Sequence, residues 1–239
     1  MIYLKWLLKK TFFLCINLSA VLFVNIVSAT EQLESNEQAI IPIAAFTASG
    51  EIEKLKVSLH EGLDTGLTIN EIKELLVQMY AYAGFPRSLN GLSALMEVLE
   101  ARKKNGIVDT VGREATALPK DKTSLEFGTV NQTKLIGTEV KGPLFDFSPE
   151  IDTYLKAHLF GDIFERDVLS WKQREIATIA ALANLKGANR QLSAHYKISM
   201  NNSVSETELK QFVSIIETHC GSQVADNARQ VLHTLLKQK

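Results

Sequence analysis

The sequence predicts an all-α protein made of two tandem copies of one helical unit, which are joined by a long irregular arm. Three observations lead to this prediction. After the first 29 residues, apolar side chains recur only with the spacing of a helix. Helix starts are marked by capping boxes, in which Ser or Thr is followed three residues later by Glu or Gln. Two of these boxes, at Thr68 and Ser205, lie 137 residues apart, and the same spacing relates the two copies.

Residues 1–29 are predicted to be a secretory signal peptide. Three lysines precede an apolar run from Thr11 to Val24, and small residues end the segment at Ala29. This order is typical of a signal that is removed after export. An uncleaved membrane anchor is the alternative, although the apolar run is short for a membrane span. We therefore expect a periplasmic or secreted protein with no stable membrane anchor after cleavage.

The mature chain has a modest acidic charge and a single cysteine. Cleavage after Ala29 leaves 23 basic and 27 acidic residues, a net charge of −4. No basic stripe is present, so we expect no nucleic-acid partner. Because only Cys220 remains, no intramolecular disulfide can form. Cys220 continues an apolar helical stripe, and we interpret it as a small buried hydrophobic residue.

The first helical unit is predicted over residues 30–105 and the second over residues 148–239. An ungapped superposition of residues 37–99 on residues 174–236 gives nine identities. Two glycines that are predicted to end helices, and the glutamate of one capping box, keep this register. The identical pairs are Ala44/Ala181, Gly50/Gly187, Leu55/Leu192, Glu71/Glu208, Lys73/Lys210, Gly84/Gly221, Asn90/Asn227, Leu95/Leu232 and Leu99/Leu236.

Residues 106–147, between the two units, are predicted to form a connecting arm with little regular structure. This segment contains five glycines and two prolines among scattered charges. Such a composition favours turns over helices. A connection of this length in a compact protein usually has a function or wraps a neighbouring molecule.

Glu175 and His195 are the candidate catalytic pair. Glu175 lies on a helix that is apolar on both sides, which predicts a buried or pocket-facing carboxylate suited to proton transfer. The alternative is a structural ion pair with an arginine. His195 follows the apolar stripe of the next helix, where a satisfied core histidine is the alternative. The turn at Gly187 returns the second helix against the first, so the two side chains can meet.

A second set of polar residues lies in the first unit. Glu74, Gln78 and Tyr82 are spaced by four residues and form a polar stripe opposite the apolar one. A solvated face is one interpretation, and a pocket wall or subunit interface is the other. With one histidine at an inward position, no metal-ligand cluster is expected. No phosphate-binding loop and no Ser-His-Asp order stands out, so we expect no cofactor.

Two stretches, LTINEIKELLVQMYAYAGFPRSLNGL and RDVLSWKQREIATIAALANLKGANRQLSAH, resemble the carboxymuconolactone decarboxylase family. The resemblance extends over nearly the whole mature chain, in the two-repeat form of that family. It implies an all-α fold that assembles into rings, commonly trimers of two-repeat chains or hexamers of single-repeat chains. The residues that carry it are Glu74, Gln78, Tyr82, Gly84 and Pro86 in the first unit, and Arg174, Glu175 and His195 in the second.

The family resemblance implies two kinds of chemistry. One branch decarboxylates a muconolactone without a cofactor. The other, alkylhydroperoxidase D-like branch is a thiol peroxidase with a C-x-x-C motif, a following histidine and an upstream glutamate. Glu175 and His195 match the glutamate and histidine of that branch, but its two cysteine positions fall on Ala188 and Gln191. Neither side chain can attack a peroxide or resolve a sulfenic acid.

The leading hypothesis is a cofactor-independent enzyme of this type that uses acid/base chemistry on a small carboxylated or lactone-like substrate. Glu175 and His195 are the catalytic candidates. One alternative is a non-catalytic oligomeric binding protein, and another is an atypical peroxidase that acts through Cys220. The expected partners are a small-molecule substrate and further copies of the chain, as a trimer or dimer. The candidate substrate-binding residues are Arg190, Tyr82, Arg87, Glu74 and Gln78.

Overall fold

The computed structural model describes residues 32–118 and 120–238, and all regular structure in these residues is helical. The prediction of an all-α protein is therefore confirmed. The predicted signal peptide lies outside the described residues. Within the described ranges, no helix combines the length and the hydropathy that a membrane span requires.

The helices follow one another with short connections, except between α5 and α6. The first half contains α1 (Ser35–Ser49), α2 (Ile52–Thr65), α3 (Ile69–Gln78), α4 (Tyr80–Ala83) and α5 (Phe85–Lys104). The middle of the chain forms α6 (Ser124–Ile136), α7 (Pro143–Phe147), α8 (Pro149–Tyr154) and a π-helix (Leu155–Ile163). The second half contains α9 (Trp171–Ala183), α10 (Asn189–Asn201), α11 (Glu206–Cys220) and α12 (Ser222–Leu236).

The predicted capping boxes start three of these helices. The side chains of Thr68, Ser170 and Ser205 each accept a hydrogen bond from the backbone N–H three residues later. In each box the Glu or Gln side chain also bonds back to the capping residue's N–H. These bonds satisfy backbone donors that have no partner inside the helix, and so they fix where each helix begins.

The helix bounds support the predicted spacing of 137 residues. α3 and α4 together end at Ala83 and α11 ends at Cys220, while α5 and α12 begin at Phe85 and Ser222. The intervening glycines, Gly84 and Gly221, have φ values of 84° and 90°. Positive φ is accessible to glycine at little cost, which accounts for glycine at both positions. The internal repeat stays a prediction that these bounds support.

α1 and α9 pack against each other at the centre of the main hydrophobic core. Every side chain from residue 174 to residue 183 of α9 is buried, as is every one from residue 40 to residue 48 of α1. Small side chains such as Ala44 and Ala181 allow two helices to approach closely. Their N-terminal ends are joined by Lys172, whose ammonium contacts Glu37 and Glu208 at 3.1 and 2.7 Å.

The prediction of an irregular arm is wrong for residues 124–136, which form α6. The helix begins with a capping box at Thr123 and Glu126 that the sequence analysis overlooked. Gly128 was interpreted there as a helix breaker, but it lies inside α6 where the π-helix approaches. A Cβ atom at Gly128 would lie 1.8 Å from the backbone oxygen of Lys156. The glycine therefore permits a close helix contact.

A second hydrophobic cluster forms where α6 meets the π-helix. Its buried members are Leu135, Leu159, Phe160, Ile163, Phe164 and Ile198. Ile198 belongs to α10, and the partly buried Tyr80 and Tyr82 of α4 also pack here. The arm is thus attached to both halves of the chain, and it covers the side of the core where α4 and α10 lie.

We expect Gly128→Ala to lower the free energy of unfolding by about 1–3 kcal/mol, because a side chain inserted into a closely packed contact forces the backbone to move. Urea denaturation followed by circular dichroism measures this change. Gly91→Ala is the matched control, since its Cβ would meet only side-chain atoms, the nearest being Leu76 Cδ2 at 2.9 Å. Alanine is also favoured over glycine in a helix by about 1 kcal/mol. Equal losses in the two variants would contradict the close contact.

Candidate functional site

The structure brings Glu175 and His195 together across the α9–α10 pair. His195 Nδ1 lies 2.8 Å from Glu175 Oε2. Glu175 is fully buried, whereas the His195 side chain is 13% exposed. The carboxylate therefore lies behind the imidazole, and the imidazole is the member of the pair that reaches the surface.

This arrangement fixes which ring nitrogen of His195 faces outward. A neutral imidazole that donates from Nδ1 to a carboxylate has Nε2 as a hydrogen-bond acceptor. A carboxylate in this position also stabilises the imidazolium that forms when Nε2 takes a proton. Ser199 holds the same turn of α10, because its hydroxyl donates to the His195 carbonyl at 2.7 Å. The pair has the geometry of a general base with its orienting carboxylate.

Tyr82 contributes an aromatic wall from the first half of the chain. Its ring meets the His195 ring edge to face, with centroids 5.8 Å apart and an interplanar angle of 82°. Burial raises the pKa of the Tyr82 hydroxyl strongly, and the nearby Glu175 carboxylate raises it further. The phenol is therefore neutral at physiological pH and is available as a hydrogen-bond donor. Tyr82 is the predicted substrate-binding residue that lies closest to a catalytic candidate's ring.

Glu74 and Gln78 lie in a buried polar network centred on Arg174. Arg174 donates to Gln78 Oε1 at 3.0 Å and to Glu74 Oε2 at 3.3 Å. Gln78 Nε2 donates in turn to the Arg174 carbonyl and to the Thr178 hydroxyl. Arg166 binds Glu74 through two nitrogens. Since their polar atoms are engaged within the protein, the geometry favours a supporting position for Glu74 and Gln78 over direct substrate binding.

The charges of this network compensate one another. Burial by itself would raise the pKa of Glu74, but hydrogen bonds and charge from Arg166 and Arg174 hold that pKa below its ordinary value. Burial also lowers the pKa of the Arg174 guanidinium. The arginine pairing considered for Glu175 thus occurs at Glu74 instead. The network fixes α3 against α9 and leaves Glu175 to its histidine.

Arg87 and Arg190 are both exposed, and they lie outside these contacts. The Arg87 guanidinium lies over Gly50, where a Cβ atom would be 1.2 Å from Nη1. Arg190 is in the first turn of α10. Within the described part of the chain, neither arginine is hydrogen-bonded to Glu175 or His195. Their predicted role in holding a substrate carboxylate gains no support from these positions.

The sequence analysis missed the residues that build the network. Arg174 and Thr178 are polar residues one turn apart on an otherwise apolar helix, and this signal was available. Arg166 was not accessible to the same reasoning, because it lies in the irregular segment before α9 and its partner Glu74 is 92 residues away in the chain. His158 was also missed; it lies in the π-helix with Nδ1 at 2.8 Å from Asp162.

The thiol-related positions are far less suited to chemistry. Ala188 caps the start of α10 and Gln191 lies in its first turn, where the related peroxidases would carry cysteines. Cys220 is partly buried at the end of α11, and burial raises the pKa of its thiol to about 11. The reactive thiolate is therefore scarce at neutral pH.

Two surface cavities lie away from the pair. One of about 340 Å³ is lined by Lys210, Arg229 and His233 together with apolar residues of α11 and α12. The other, of about 420 Å³, is lined mainly by residues 183–189 and by α12. In residues 32–118 and 120–238, no three His, Cys, Asp or Glu side chains converge as a possible metal site.

Comparison with known proteins gives a match in the second half of the chain. The model of the carboxymuconolactone decarboxylase family matches residues 149–234. A 4-carboxymuconolactone decarboxylase of Acinetobacter baylyi is 26% identical over 94 residues, which cover 39% of this chain and 69% of that protein. The matched segment contains α9 and α10, and with them Glu175 and His195.

We expect Glu74→Gln to destabilise the protein by about 1–3 kcal/mol at pH 7, because Arg174 loses its charged acceptor inside the core. A lowered folded-state pKa means that Glu74 contributes stability above its ordinary pKa of 4.5 and loses it as the pH falls through the folded value. The difference between the two proteins should therefore shrink on acidification. Urea unfolding at pH 7, 5 and 4 measures it. Glu61→Gln, at an exposed site, is the control, and a pH-independent difference for Glu74→Gln would refute this role.

Proposed function

Residues 149–234 belong to the carboxymuconolactone decarboxylase family, and on that premise we propose that the protein is a cofactor-independent enzyme. Its substrate would be a small carboxylated or lactone-like molecule. The observation that carries the proposal is the hydrogen bond between the buried Glu175 carboxylate and the partly exposed His195 ring. Two charged-capable groups held in this way inside a conserved-length helical pair suit proton transfer.

The proposed reaction is a decarboxylation next to a carbonyl group. The bond between the carboxyl carbon and the ring carbon breaks, and CO2 leaves. The electron pair of that bond delocalises onto the neighbouring carbonyl as an enolate, and a proton then adds to carbon. His195 is the proposed proton donor, because its Nε2 faces outward while Nδ1 bonds to Glu175. Glu175 is its positioning residue and stabilises the protonated ring.

Both halves of the chain contribute to the proposed site. Tyr82 of α4 covers one side of His195, and the Arg174 network fixes the helix that carries Glu175. A non-catalytic binding protein with the same fold is the alternative. The Glu175–His195 pair favours the enzyme, since a purely apolar ligand pocket has no need of a buried acid with one unpartnered oxygen.

The homo-oligomer and the export of the protein remain part of the proposal. Support for self-association comes from an apolar stripe on α7 and α8, where Leu144, Phe147, Ile151 and Tyr154 are 43–88% exposed. Exposed apolar surface of this kind commonly marks an interface. Support for a periplasmic or secreted location comes from the amino-terminal sequence alone.

We expect His195→Gln to reduce kcat by about 100- to 10,000-fold, the range that a positioned acid or base contributes. The first compound to test is 4-carboxymuconolactone, the substrate in the relative's name, followed by related lactones and β-keto acids. Release of CO2 and loss of substrate absorbance report the reaction. Glu175→Gln should lower kcat less, since its amide can still accept a hydrogen bond from Nδ1.

His233→Gln is the matched control for that assay, because His233 is an exposed histidine on α12. Its kcat should equal that of the parent protein. Turnover that survives in His195→Gln would eliminate the acid/base role. A parent protein that binds these compounds and turns none of them over would favour the binding-protein alternative.

The raised pKa of Cys220 gives a separate expectation for peroxidase activity. At pH 7 the parent protein should reduce hydrogen peroxide or an organic hydroperoxide no faster than Cys220→Ala, because the buried thiol is protonated. A peroxide-consumption assay with an added dithiol reductant measures both rates. Consumption that disappears in Cys220→Ala would reverse this conclusion and restore the peroxidase alternative.

A further inference from the structure

Unpartnered buried polar atoms gather beside the Glu175–His195 pair. Five buried side-chain polar atoms in the described ranges have no hydrogen-bond partner, and they include Tyr82 Oη and Glu175 Oε1. Buried polar groups are nearly always paired, so each exception calls for a physical reason. Glu175 is fully buried, and its other oxygen is already bonded to His195.

The two atoms are chemically complementary. The Tyr82 phenol is neutral and can donate a hydrogen bond, whereas Glu175 Oε1 is an acceptor when Oε2 receives the proton of His195 Nδ1. They are not bonded to each other, although the Tyr82 side chain is close enough to Glu175 to feel its charge. An oxygen atom that both accepts and donates a hydrogen bond would satisfy both of them. A hydroxyl or enol group has this property, whereas a carboxylate or an ether oxygen does not.

We infer that the Glu175–His195 site takes a ligand with a hydroxyl or enol oxygen, which accepts a hydrogen bond from Tyr82 Oη and donates one to Glu175 Oε1. This inference rests on the proposed function and narrows its substrate class to compounds that carry, or form, an enol. In the proposed reaction the enolate oxygen is where negative charge develops, and Tyr82 is the donor that meets it. Tyr82 is then a catalytic residue supplied by the half of the chain that does not carry His195.

The electrostatics of the site agree with an enol oxygen in preference to a fixed anion. The nearest buried cation, Arg174, is already bound to Glu74, Gln78 and the carbonyl of Arg166. A permanent negative charge beside Glu175 would therefore face a carboxylate with no free cation to balance it. A neutral hydroxyl that gains charge only during the reaction avoids this cost and still benefits from the Tyr82 donor.

Three small aromatic probes test the inference without any turnover. Phenol can accept and donate, anisole can only accept, and toluene can do neither. Binding at pH 7 is followed by NMR through the imidazole resonances of His195, which the His195→Gln variant identifies. Phenol should bind more tightly than toluene, with anisole between them. Tyr82→Phe should reduce the preference for phenol over toluene by about 3- to 10-fold, the value of one hydrogen bond.

Tyr80→Phe is the matched control, since it removes a second buried, unpartnered phenol two residues away that lies against Phe85 and His158. Its preference for phenol should equal that of the parent protein. The inference is overturned if phenol fails to shift the His195 resonances up to its solubility, or if Tyr82→Phe leaves the preference intact. Loss of turnover in His195→Gln with an unchanged phenol preference in Tyr82→Phe would retain the proposed function and reject Tyr82 alone.

Discussion

The structure depends on how two adjacent charged residues are satisfied inside one buried helix. Arg174 and Glu175 lie next to each other on α9, and both are fully buried. An unpaired charge in a protein interior costs several kcal/mol, so each must find partners on its own side of the helix. Arg174 finds Glu74, Gln78 and the Arg166 carbonyl, while Glu175 finds His195.

This division separates support from chemistry. The arginine side of α9 is closed, because its neighbours carry compensating charges and engaged amide groups. The glutamate side ends at an imidazole that reaches the surface and at a phenol without a partner. A ligand can therefore gain hydrogen bonds only on the glutamate side. Since Tyr82 and the network residues come from the first half, the proposed site exists only when both halves are folded together.

Helical periodicity and turn glycines were sufficient to predict the α9–α10 part of the site. Glu175 and His195 are inward-facing on two helices joined at Gly187, and helices connected by a short turn pack against each other. The arm could not be predicted in the same way. Gly128 looks like a helix breaker in the sequence, and only the position of the π-helix shows that it permits a close contact. Long-range partners such as Arg166 and Glu74 leave no periodic signal.

The predicted roles of Glu74 and Gln78 differ from their positions for a related reason. Their spacing identified a polar helix face, but spacing alone does not say what covers that face. The structure covers it with α9, whose own polar residues Arg174 and Thr178 complete the hydrogen bonds. Polar stripes on helices thus predict that a partner exists, and the tertiary structure decides whether it is solvent, ligand or protein.

The protonation pattern of the His195 ring tests the central claim most directly. ¹⁵N NMR distinguishes a ring nitrogen that carries a proton from one that does not. In the neutral state the account predicts a protonated Nδ1, held by Glu175, and an unprotonated Nε2 that faces outward. Glu175→Leu, which removes the acceptor, should shift the ring toward the Nε2-protonated form. A parent protein with the proton on Nε2, or a ring unaffected by Glu175→Leu, would contradict the account.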